Sequence, residues 1–80
     1  MIQFHPTRRT PFLKVALSLC GMRAWEVARE VGIDPGLLSR IANGREDGSP
    51  EVRQRLAYFF QTNVASLFRV VTPQEFGWND

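Results

Sequence analysis

The chain has 80 residues, room for one domain and too few for two. With 44% hydrophobic and 22% charged residues it is neither a disordered polymer nor a membrane span, since no apolar run approaches the roughly 20 residues a bilayer needs. A net charge of +2 permits a nucleic-acid partner without requiring one, although nine of the 10 basic residues are arginine, whose planar fork suits phosphate and guanine.

Residues 1–10 carry His5, Arg8 and Arg9 but lack the apolar stretch of a signal peptide, so a cytoplasmic protein is expected. This basic arm is read as solvated, with the alternative that it lies over a DNA backbone. Thr10-Pro11 offers an N-cap followed by proline at the first helical position, and Gly21 closes the first helix. Between them the apolar residues of FLKVALSLC sweep about 200° of helix surface, leaving only Lys14 and Ser18 clearly outside. A helix burying one stripe needs about half that, so this one is expected to touch something on two sides. Cys20 is the single cysteine and cannot form an internal disulfide. It is read as a buried thiol in a reducing compartment.

The second helix, Arg23 to Val31, puts Ala24, Val27, Ala28 and Val31 on one stripe, with Trp25 and Arg29 one turn apart on its flank. Gly32 suits the left-handed position past its end. Asp34-Pro35 repeats the cap-plus-proline pair and opens a third helix running to about Asn43, with Gly44 behind it. Only Gly32 and Ile33 separate the second helix from that cap, which forces a tight angle, as in a helix-turn-helix.

Residues 45–48 read as a polar loop. Ser49-Pro50 starts a fourth helix in which Val52, Leu56, Phe59 and Phe60 fall on one face. Those phenylalanines are read as core, not as a stacking platform. Asn63 caps a short fifth helix, Val64 to Phe68. Residues 68–72 have strand-like composition, and Ile2-Gln3-Phe4 is a possible partner for a small terminal β-ribbon. The expected fold is all-α: one domain over 1–80, with four to five short helices in a core of about 11–68. An N-terminal arm 1–10 and a C-terminal tail 69–80 flank that core.

Residues 24–44, AWEVAREVGIDPGLLSRIANG, resemble the helix-turn-helix of the Cro and lambda-repressor (XRE-like) proteins. Ala28 matches the small residue where helix three crosses helix two, Gly32 the turn glycine, and Leu38 and Ile41 the buried positions of helix three. The stretch LAYFFQTNVASLF extends the resemblance through helices four and five, to cover roughly residues 12–68. It implies a lambda-repressor-like bundle and a transcriptional regulator, usually a repressor, that binds double-stranded DNA; a homodimer on a pseudo-palindromic operator is expected on separate grounds, the apolar belt of helix one among them. Two departures stand out. Arg23 and Ala24 replace the family's usual capping residue and following glutamine, and Pro35-Gly36 stand where long polar base-readers often sit.

Projection of helix three supports the same reading. With Leu38, Ile41 and Ala42 inward, Gly36, Arg40 and Asn43 face away, flanked by Leu37 and Ser39. Such a helix fits the major groove and reads bases mostly through its N-terminal half. Base contacts are therefore assigned to Gly36, Leu37 and Arg40, with Arg40 donating two hydrogen bonds to guanine. Phosphate contacts are assigned to Arg23, Trp25, Ser39, Asn43 and Arg45, assisted by free amides at the start of helix two. Trp25 has a competing role, stacking with Arg29. Dimerisation is expected from the oversized apolar belt of helix one and from Ile2, Phe4, Phe76 and Trp78; the rival expectation is that the termini fold over that belt.

No enzyme is expected: the sequence has no nucleophile–base pair, paired carboxylates or phosphate-cradling glycine loop. His5, without a second histidine, makes no metal site, and no cofactor or small-molecule substrate is expected. The alternative is a protein-binding module, an antitoxin or adaptor, that turns the same architecture toward a protein partner.

Overall fold

The computed structural model describes residues 10–71. They form an all-α bundle of five helices: α1 (Leu13–Leu19), α2 (Ala24–Val31), α3 (Pro35–Ala42), α4 (Pro50–Phe59) and α5 (Val64–Leu67). Three of the expected caps are made. The Asp34 carboxylate accepts from the amides of Gly36 and Leu37, Ser49 Oγ from Val52, and Asn63 Oδ1 from Ser66. Each such cap is worth about 0.5–2 kcal/mol, which matters for helices this short. At the other end of α3, Gly44 takes φ +76°, and the amides of Gly44 and Arg45 return to the carbonyls of Ile41 and Arg40. These two bonds make a Schellman closure that reverses the chain sharply. The same closure ends α4, with Gln61 at φ +56° where glycine would be at ease.

The start of α1 departs from the sequence reading. Thr10 is not its cap: Phe12 already has helical dihedrals, and no side chain caps the helix. Instead the Val71 amide donates to the Thr10 carbonyl at 3.0 Å and the Phe12 amide to the Arg69 carbonyl at 2.8 Å. Pro11 and Val70 thus form an isolated antiparallel bridge. Proline has no amide to donate and is tolerated at such an edge. The strand-like tail therefore pairs with residues 10–12. Ile2, Gln3 and Phe4, its expected partners, lie outside the described residues, as do His5, Arg8, Arg9, Thr72, Phe76 and Trp78.

The core is built from Leu13 of α1, Val27, Ala28 and Val31 of α2, Leu38, Ile41 and Ala42 of α3, Leu56 and Ala57 of α4, and Leu67 of α5. Phe12, Ala16, Leu17, Val52, Phe59 and Phe60 pack partly buried around it. Phe59 and Phe60 meet edge-to-face, their centroids 5.0 Å apart. Within residues 10–71, Leu13 is the buried residue of α1, Val15, Ala16 and Leu17 are partly buried, and Leu19 remains 76% exposed. Ala24 opens α2 and is exposed, so the stripe of that helix begins at Val27. Cys20 is half-buried, its thiol donating to the Leu17 carbonyl at 3.3 Å. No helix among the described residues is long and apolar enough to cross a membrane.

Candidate nucleic-acid interface

The unit from α2 through α3 carries the candidate site. Ala28 is fully buried on the inward face of α2, and α2 packs chiefly against α3. Leu38 and Ile41, both essentially sealed from solvent, anchor α3, at about 1.5–3 kcal/mol for each side chain buried. With that stripe fixed inward, Gly36, Ser39 and Arg40 lie on the exposed side. Leu37 is partly buried against the core, so only part of it faces outward.

Local chemistry explains Gly36. A Cβ there would sit 2.8 Å from Asp34 Oδ2, the atom that caps the helix, and 3.4 Å from Arg40 Nη1. The missing side chain therefore protects the cap and leaves room for the Arg40 guanidinium against the first turn of α3. Arg40 itself is half-exposed, with Nε donating to Glu46 Oε1 at 2.8 Å. Isolated surface ion pairs contribute about 0.2–1 kcal/mol, so this one adds little to the stability of the fold.

Other candidate contacts are more committed to the protein than projection implied. The Asn43 amide is engaged internally: Oδ1 accepts from Lys14 Nζ at 2.6 Å, and Nδ2 donates to the Ser39 carbonyl at 2.9 Å. It tethers α3 to α1, and Ser39 Oγ lies 3.4 Å from the same Nδ2. Trp25 is 49% exposed, with the Arg29 guanidinium carbon 5.4 Å from its ring centroid, so the stacked arrangement forms. Arg23 and Arg45 are exposed, at the start of α2 and just past the end of α3. The expectation of open amides at the start of α2 is corrected for Arg23, whose backbone N–H already donates to Glu26 Oε1 at 2.8 Å. Asp34 likewise occupies amides at the start of α3. Carboxylates within the chain fill positions that a phosphate would otherwise take.

Three residues were missed by sequence reasoning. Glu46 sits six residues beyond Arg40, outside helical pairing distance, and is brought back by the turn at Gly44. That glycine was the available signal. Helical periodicity puts Lys14 on the polar edge of α1, although its ammonium reaches Asn43 at the end of α3. The cap-plus-proline pattern marks Asp34 only as a cap, although its carboxylate also places a negative charge beside the candidate face.

An open groove of about 890 Å³ lies elsewhere, between α2 and α4, lined among others by Glu30, Glu51, Arg55 and Tyr58. It includes none of the residues assigned to DNA. No cluster of three or more potential metal ligands occurs among the described residues. No family model, curated protein or solved structure matches the chain.

Proposed function

We propose that the protein binds duplex DNA sequence-specifically through α3 and regulates transcription, as a repressor homodimer on a pseudo-palindromic operator. It is a binding protein of the cytoplasm, with no reaction, metal or cofactor of its own. The observation that carries this reading is the outward face of α3. Buried Leu38 and Ile41 hold that helix, while Arg40 stands half-exposed over Gly36. An α-helix so presented fits the major groove, where arginine reads guanine O6 and N7 with discrimination of about 1–3 kcal/mol. Arg23 and Arg45, both exposed, would supply positive charge for the phosphates. In a dimer the two copies of α3 would enter half-sites about 34–36 Å apart, one turn of DNA.

The test is selection of bound sites from random duplexes with the wild type and Arg40→Ala. The variant should lose preference at one base pair per half-site and bind its best site about 5- to 150-fold more weakly. Unaltered selectivity removes Arg40 from base reading. The second reading, a module for a protein partner, draws on Asp34 and Glu46, two carboxylates beside the face of α3 that repel phosphate. It predicts that no duplex is enriched.

A further inference from the structure

The ion pair between Arg40 and Glu46 has a geometry that bears on how Arg40 would read a base. Only Nε is engaged by Glu46, at 2.8 Å. That is the guanidinium nitrogen on the stem side, and the forked contact to guanine uses the two terminal nitrogens. Nη1 meanwhile lies near Gly36, in the N-terminal half of α3, which is the half that meets base edges in such a docking. The pair therefore aims the fork while leaving its prongs open.

The loop carrying Glu46 is itself held firmly. Gly44 closes α3 on one side. On the other, Arg53 Nη1 donates to the Asp47 carbonyl at 3.1 Å. Gly48, at φ +80°, packs so tightly that a Cβ would fall 2.8 Å from Ile41 Cδ1. Glu46 is thus fixed relative to the same α3 residue, Ile41, that anchors the helix. A carboxylate beside a DNA-facing surface otherwise only weakens phosphate binding, and a half-exposed pair does little for stability.

We propose that Glu46 is a positioning residue for recognition: it orients Arg40 through Nε and so sets the discrimination at the base pair Arg40 reads. This inference rests on the DNA-binding reading above. Ordering one long side chain in advance is worth about 2- to 13-fold in binding. That gain belongs to the specific complex, because an arginine on a phosphate needs no such aim.

The experiment compares wild type, Glu46→Ala and Glu46→Gln for affinity to the selected best site and to an unrelated duplex at one salt concentration. Both variants remove one negative charge, so both should bind the unrelated duplex more tightly. Glutamine keeps an oxygen that can accept from Nε; alanine does not. Glu46→Ala should therefore lower the specific-to-nonspecific ratio about 2- to 13-fold, with Glu46→Gln restoring most of it. Equal ratios in all three proteins would overturn the proposal while leaving the DNA reading intact. A ratio that rises in Glu46→Ala would also overturn it, by showing that Glu46 competes with DNA for Arg40. Absence of duplex binding by the wild type would instead overturn the DNA reading, and this inference with it.

Discussion

Replacing Gly48 by alanine tests whether the loop behind α3 is seated on the core. Two costs arise. At φ +80° an L-residue is strained, by roughly 1–2 kcal/mol, offset in part by the lower chain entropy of unfolded alanine. The new Cβ would also stand 2.8 Å from Ile41 Cδ1 and 3.5 Å from Ile41 Cγ1, so a fully buried side chain must move. Overpacking of this kind costs typically 1–3 kcal/mol. Gly21 is the matched control: its φ is +78°, yet a Cβ there meets nothing within 4 Å. Gly21→Ala should thus cost about 1 kcal/mol and Gly48→Ala about 2–4 kcal/mol. A domain this size has a total stability of roughly 4–12 kcal/mol, so the difference is easily resolved by urea unfolding. Equal losses in the two variants would refute the contact between Gly48 and Ile41, and with it the fixed placement of Glu46.

Ala28→Leu should cost about 1–3 kcal/mol, because Ala28 is fully buried in the core; an unchanged melting temperature would contradict its placement on the inward face of α2. Gln61→Gly should stabilise the chain by about 1 kcal/mol, raising Tm by roughly 4–8 °C, since Gln61 holds a left-handed conformation at the end of α4. Calorimetry of that variant is the check, and a lowered Tm would count against the Schellman closure there.

What the sequence revealed was mostly local. Asp34, Ser49 and Asn63 act as caps, and Gly32 and Gly44 mark helix ends, because each device involves neighbours within a few residues. Leu38, Ile41 and Leu56 are buried as their helical spacing implied. Thr10-Pro11 carried the same local signal as Asp34-Pro35, yet it was diverted by Arg69 and Val71 from the far end of the chain. No periodicity encodes such a pairing.

The candidate site shows the same division. Helical projection turned Arg40 and Ser39 outward correctly, since it needs only the inward stripe. It had no means of seeing that Lys14 would take Asn43, or that Glu46 would return to Arg40. Those contacts depend on how α1 packs and how the loop after Gly44 turns.

The protein is proposed to grip a duplex through the surface around α3. Fluorescence anisotropy with a labelled duplex, repeated across a series of salt concentrations, measures that most directly. Neutralising two phosphates per protomer, through Arg23 and Arg45, predicts a log–log slope of about −2 for one protomer and −4 for a dimer. No duplex binding even at low ionic strength, or affinity indifferent to salt, would contradict it.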